Sequence, residues 1–400
     1  MGRVFYSSSV HDQAEIDAVV QVLKDGPQGL WPGRRVSAME REVAELFGKR
    51  RGVMCNSGSS ALYLAVELLQ LPRESEVITC GLTFSTDVAP LLRAGLVPVF
   101  VDVEPDTYCV DVARIEEMIT PKTRALLMPN LVGNAPDWDR IRAIADRHGL
   151  PVIEDSCDTL GPTLRGTPTG RRSHLSVTSF ANSHVITCAG NGGMLMVDDD
   201  ALRDRAVMLR RWGRRSQLHY YGSKKKERNF WEELDGIRYD NQFIFDEVAW
   251  NFEPSEIGAA FGLEQLKKLP GNLERRKRNF RLFTQFFARH SDQFLLPRQT
   301  AELETTWLGY PLIIRDGAGF ERADLQQYLD AREIDTRTIW SGNITRQPML
   351  QGARYRTPAD GLPNADAVMR SGVLLPLSHA LGDDDIAFVT QQVEDFLKSP

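Results

Sequence analysis

Cysteine is scarce in this chain: five residues in 400, at positions 55, 80, 109, 157 and 188. The number is odd and no pair has C-x-C or C-x-x-C spacing, which excludes a zinc ribbon, a thioredoxin-type motif and a small disulfide scaffold. Reduced, mostly buried thiols in a cytoplasmic protein are expected instead. Long apolar runs are missing too. None approaches the roughly 18 residues that suggest a membrane span. The start, Met1-Gly2-Arg3-Val4-Phe5-Tyr6, has no apolar signal core, and Tyr6 breaks the myristoylation pattern. Positive charge is not in excess, since 48 Lys and Arg against 54 Asp and Glu leave a net charge of −6. No overall field therefore favours nucleic acid or anionic lipid. The basic runs Arg210–Arg215 and Lys224–Arg228 are short and read as solvated faces or sugar-phosphate contacts. Internal repeats and low-complexity segments are absent.

What is present is ordinary in bulk and informative in order. With 42% hydrophobic and 26% charged residues, the composition is that of a globular protein, and the length suggests roughly two to three domains. The first half alternates apolar, β-rich runs with helical patterns. Strands are expected at Gly52–Asn56, Glu76–Cys80, Val97–Val103, Arg124–Asn130 and Pro151–Asp155. Helices are expected near Ser59–Leu69, Thr86–Ala94, Val110–Ile119 and Asp137–His148. Near-continuous apolar strands separated by helices indicate a mostly parallel sheet covered on both faces. The runs Leu175–Phe180 and Gly193–Val197 add two strands whose short separation suggests a hairpin-like, mixed part of the sheet. From Tyr220 to Gln242 the pattern lapses into a long loop whose aromatics (Tyr220, Tyr221, Phe230, Trp231, Tyr239) favour a packed, functional role. Two amphipathic helices follow, Pro254–Lys268 and Leu273–Ala288. The order then changes to strand Thr306–Ile314, helix Arg322–Ala331, strand Asp335–Ile339 and helices Asn364–Gly372 and Asp383–Leu397. This reads as a large α/β domain over residues 1–270 and a smaller α+β domain over 271–400.

Three local patterns carry chemistry. Asn56-Ser57-Gly58-Ser59-Ser60 follows a strand and opens a helix, where free amides and a partial positive charge can hold a phosphate; a plain loop and N-cap fits the same residues. Glu154-Asp155 ends a buried parallel strand, the place where α/β folds bind ligands. Asp155 can pair there with a pyridinium nitrogen or simply cap the next helix. The third pattern is Thr178-Ser179-Phe180-Ala181-Asn182-Ser183-His184 followed by Gly190-Asn191-Gly192-Gly193.

Together with Leu82-Thr83-Phe84, Trp250-Asn251 and Gly342-Asn343, these residues resemble the DegT/DnrJ/EryC1/StrS family of sugar aminotransferases over nearly the whole chain. The resemblance implies a fold type I, aspartate aminotransferase-like large domain that binds pyridoxal phosphate (PLP), with a smaller C-terminal α+β domain. Two departures stand out. Asn191 occupies a position that is usually acidic, and His184 stands where the family has its imine-forming lysine. Histidine moves protons near neutral pH but forms no stable imine. The exchange therefore implies a cofactor held non-covalently, most usefully as pyridoxamine phosphate (PMP), and looks like the nucleotide-sugar 3-dehydratase branch.

By the same resemblance His184 is the catalytic residue. Asp155 meets the pyridine nitrogen and Phe84 stacks on the ring. Gly58, Ser59, Ser179 and Asn251 contact the phosphate, Asn251 from the second subunit of a homodimer. Asn343 and Arg346 meet the substrate, a nucleotide-linked 4-keto-6-deoxy sugar of the GDP-4-keto-6-deoxymannose type, and L-glutamate restores PMP. Iron–sulfur dehydratases of this branch carry a C-x-C group after a W-G-R segment. Here Trp212-Gly213-Arg214 is followed by no cysteine, so no iron–sulfur cluster and no metal site is expected. The rivals are an aminotransferase using another lysine, such as one of Lys224–Lys226, a reductase-coupled dehydratase of CDP- or dTDP-sugars, and a catalytically dead homologue.

Overall fold

The computed structural model describes residues 2–225, 227 and 231–398. Phe230, Lys226 and Arg228, singled out above, lie outside them. The central sheet has seven strands in the order Arg51–Cys55, Gly193–Val197, Leu175–Ser179, Val152–Asp155, Thr123–Pro129, Glu76–Cys80 and Val97–Val101. From Leu175–Ser179 to Val97–Val101 the pairings are parallel. Gly193–Val197 alone is reversed, antiparallel to both of its neighbours. This is the mixed region expected from the short Ser179–Gly193 connection, since a parallel return needs a crossover of a dozen or more residues.

Both faces of the sheet are buried, and alternate side chains go to opposite faces. Val53, Val77, Leu127, Ile153, Val177 and Leu195 pack under the helices Gly58–Leu68 and Asp200–Arg210. Met54, Met194 and Met196 join the other layer with Met39 and Val43 of helix Arg34–Leu46. Among the described residues no helix is long and apolar enough to cross a membrane.

Several expectations are corrected. Val110–Ile119 forms no α-helix but two 3-10 turns, Val112–Arg114 and Glu116–Met118. The Asp111 side chain accepts the Ala113 amide and closes the first turn locally, an alternative that short polar side chains offer to helix. The supposed loop at 220–242 contains a hairpin, Trp231–Leu234 against Ile237–Asp240. Its turn is Asp235-Gly236, with φ of 51° and 78°, the dipeptide that two-residue hairpins favour. The two helices expected around residues 254–288 are a single helix, Glu256–Phe287, running through Pro270. The residues Pro270 and Gly271 are exposed, and packing against helices Gln13–Lys24 and Arg34–Leu46 carries the helix across them. The division placed at residues 270/271 lies inside this helix. Asp335–Ile339 makes only an isolated bridge from Arg337 to Leu374. The strands paired with Tyr310–Ile314 are Phe294–Leu295 and Gly372–Leu375.

Candidate active site

Five strands of the sheet end at one cavity of about 580 Å³, a size typical of small-ligand sites. Ser57, Gly58 and Ser59 follow the first strand, and Phe84, Thr86 and Asp87 follow Glu76–Cys80. Asn130 follows Thr123–Pro129, Asp155 ends its strand, and Ser179 ends the next, with Ser183, His184 and Asn191 beyond it. Sites at the carboxyl ends of parallel strands are the rule in such sheets. Tyr6 from the N-terminal segment and Leu308, Arg337 and Trp340 from the C-terminal region complete the wall.

Each side chain arrives there for a local reason. Ser57 caps helix Gly58–Leu68, its hydroxyl accepting the Ser60 amide at 3.1 Å. The remaining first-turn amides of a helix have no intrahelical acceptor. A Cβ at Gly58 would come within 2.7 Å of Ser179 Cβ and 2.9 Å of Cys157 Sγ, so glycine keeps the helix end tight against the sheet. Glu154 and Asp155 point to opposite sides of their strand. Fully buried Glu154 accepts hydrogen bonds from Asn130, Ser156 and Ser176. Asp155 faces the cavity, and its Oδ1 accepts the Cys157 amide at 2.9 Å. Phe84 stands at the N-cap of helix Ser85–Arg93 and is 53% exposed despite its size, leaving an aromatic face on the cavity wall.

His184 is set by a turn in which its amide donates to the Ala181 carbonyl at 3.0 Å. Its Nδ1 is buried without a hydrogen-bond partner. Burial pushes the imidazole down to about 4, backbone contacts at Cys157 and Ser179 opposing it only in part. His184 is therefore a neutral base at physiological pH. No lysine is among the described residues that line the cavity.

Three carboxyls line the same space: Asp155, Asp87 and Asp158. Burial raises all three. Asp158 reaches about 7, although the Val132 amide and the Trp340 indole, each at 2.8 Å, pull the other way. Arg337 is the cationic side chain among the described lining residues. Sequence reasoning passed over Asp87, Asp158, Arg337 and Trp340. Asp87 and Asp158 lie three residues beyond Phe84 and Asp155, and that spacing was the available signal.

Three of the expected residues are absent from the cavity wall. Asn343 is buried and spent on structure: its Nδ2 donates to Asp366 at 2.8 Å and its Oδ1 accepts the Thr345 amide and hydroxyl. Arg346 is paired with Asp366, Nη2 to Oδ2 at 2.6 Å. Asn251 is exposed, its side chain accepting the Glu253 amide at 3.0 Å. Among the described residues no group of three His, Cys, Asp or Glu is arranged to hold a metal ion.

The wall suits a phosphorylated pyridine. A helix N-terminus with serine hydroxyls stands ready for a dianion, a carboxylate for a ring nitrogen and an aromatic face for the ring. The partnerless buried atoms His184 Nδ1 and Asp87 Oδ1 mark the lining as polar and incompletely satisfied. Comparison with known proteins points the same way. Residues 10–394 match the DegT/DnrJ/EryC1/StrS aminotransferase family. The chain is 34% identical to dTDP-4-dehydro-2,6-dideoxy-D-glucose 3-dehydratase of Saccharopolyspora spinosa, over 91% of this chain and 80% of that one. It is 31% identical to the lipopolysaccharide biosynthesis protein RfbH of Salmonella typhimurium, over 98% and 91%. The solved structure of E. coli GDP-4-keto-6-deoxy-D-mannose-3-dehydratase with bound hydrated PLP aligns with a TM-score of 0.86 at 27% identity, covering 98% of this chain and 99% of that one.

Proposed function

Because this chain belongs to the DegT/DnrJ/EryC1/StrS aminotransferase family, we propose that it is a nucleotide-sugar 3-dehydratase. The substrate would be an NDP-4-keto-6-deoxyhexose, of the GDP-4-keto-6-deoxymannose type, with L-glutamate as amine donor. The coarser description stands on the family and fold: a fold type I, PLP- or PMP-dependent enzyme that modifies sugars. The observation that carries the finer reading is His184, a half-buried neutral imidazole in a cavity whose described lining has no lysine.

When bound, PMP supplies an amine that condenses with the sugar ketone and a ring that accepts electrons. The chain's residues do the rest. Ser57, Gly58, Ser59 and Ser179 hold the phosphate, and Phe84 covers the ring. Asp155 keeps a proton on the ring nitrogen. His184 would take up at its imidazole the proton released as the sugar reacts and return it to the departing C3 hydroxyl oxygen, which would leave as water. Arg337 is placed to meet an anionic group of the sugar nucleotide or of glutamate, the role that Asn343 and Arg346 were expected to fill.

The test of this reading is covalency and product together. Borohydride reduction of the PLP-loaded protein followed by peptide mapping should leave every lysine unmodified, and the sugar product should have lost its C3 oxygen without gaining nitrogen. A pyridoxyl adduct on a lysine, with an aminated sugar as product, would replace the dehydratase by an aminotransferase.

We infer a homodimer with shared active sites from the phosphate contact expected of Asn251. It does not line its own chain's cavity, so a phosphate contact by it requires a second copy. Trp31, Phe243, Phe245, Val248 and Trp250 are exposed, with Arg211 over Trp31 and Arg214 over Phe243 and Phe245, a mixture of aromatic rings and arginine that interfaces favour. Light scattering should give twice the chain mass, and Val248→Glu should lower both the dimer fraction and cofactor retention. A fully active monomer would contradict it.

A further inference from the structure

Asp87 has no part in the roles above, yet it is 1% exposed and lines the same cavity as Asp155 and His184. One of its carboxyl oxygens, Oδ2, accepts the Thr83 hydroxyl. The other, Oδ1, is buried and finds no N–H or hydroxyl donor. The polar group bearing on it is the carboxyl of Asp155, which lines the same cavity. The other titratable groups bearing on this pair are Cys157, Asp158 and Cys80. None of them is a cation, and burial pushes both thiols up; Arg337, the cation of the cavity wall, has Asp335 as its carboxylate neighbour at 3.8 Å.

Ionised carboxylates only accept hydrogen bonds. Two of them can face each other in a buried site only when one carries a proton. The environments differ enough to say which. Asp155 accepts the Cys157 amide, which favours its anion. Burial and the Asp155 charge both push Asp87 well above the usual carboxylate range, and the Thr83 hydroxyl offsets them only in part.

We propose that Asp87 is a positioning residue: a neutral carboxylic acid whose O–H donates to Asp155 and holds it as a single, oriented anion facing the cofactor site. Asp155 then supplies one negative charge, tempered by the donated hydrogen bond, to whatever nitrogen it meets. The part concerning the cofactor rests on the function proposed above. The proton on Asp87 is a property of the protein alone.

Asparagine is the fixed surrogate of a protonated aspartate, since its Oδ1 can accept from Thr83 while its Nδ2 donates to Asp155. Leucine has similar volume and donates nothing. Infrared difference spectra of unliganded wild type minus Asp87→Asn should therefore show the C=O stretch of a protonated carboxyl at pH 7; without that band the inference falls. Cofactor affinity gives the second readout. Asp87→Leu should weaken PMP binding on the order of tenfold, as expected for a buried charged group that loses a hydrogen bond, and Asp87→Asn should stay close to wild type. Equal affinities for the two variants would reduce Asp87 to a space-filling role. If Asp87→Leu does not fold, the infrared comparison still decides. If wild type binds no PMP at all, the proposed function fails while the infrared result continues to judge Asp87.

Discussion

His184→Asn should keep the cofactor and lose dehydration, with turnover falling on the order of 10²–10⁴-fold, the contribution typical of a positioned acid–base group. Asparagine preserves polarity and approximate size, so the Ala181–His184 turn and the phosphate end of the cavity stay in place, but an amide cannot shuttle a proton. Cofactor binding measured by absorbance should be unchanged, and single-turnover product formation should collapse. The pH profile follows from the same group. His184 is held down at about 4 by burial, so its base form, and the turnover that depends on it, is present above that value and is lost as pH falls through it. Burial raises Asp158 to about 7, so a change of rate near neutrality that arises from Asp158 should persist in the His184 variant. Near-wild-type turnover of His184→Asn would mean another base. His174 and His219 are poor substitutes, because neither lines the cavity and His174 Nδ1 accepts the Val152 amide at 2.9 Å.

Sustained turnover should require L-glutamate and should stop after about one product per active site without it. The chemistry dictates this. When the C3 oxygen leaves as water and the nitrogen-bearing product is hydrolysed, no outside electrons are needed, but one amine is released as ammonia in each cycle. Glutamate would restore it and become 2-oxoglutarate, so 3-deoxy-4-keto sugar, ammonia and 2-oxoglutarate should accumulate in equal amounts. The reductive alternative delivers single electrons through a cluster or flavin. The cysteines do not favour it: four of the five are buried, only Cys157 lines the cavity, and none follows residue 188. Added iron, NADH or a flavin reductase should leave the rate unchanged. Turnover that needs a reductase and ignores glutamate would overturn the hydrolytic route while leaving His184 as the base.

The alternation of apolar runs and helical patterns through residue 197 was enough to place the sheet strands, because strands buried on both faces need continuous apolar sequence and the intervening helices need their own period. The Ser57-Gly58-Ser59 loop and Asp155 stood out by their position at strand ends, and Ser179 and His184 by the family pattern; the fold brings all of them to one cavity. What failed in the sequence were features decided by competition between local and distant contacts. Pro270 and Gly271 argue locally for a break, and packing against the N-terminal helices makes one helix of 32 residues. Asn343 and Arg346 look like free polar side chains in one dimension, and only the fold brings Asp366 to both. Asp87 reads as an ordinary acid in a helix's first turn. Its closeness to Asp155 arises because two strands separated in the chain by more than 70 residues flank Thr123–Pro129 in the sheet and end at one cavity. Residue types and strand ends are local and so are written in the sequence. Which of the side chains at those ends meet, and which proton they must share, depends on long-range packing and burial, and the tertiary structure alone decides it.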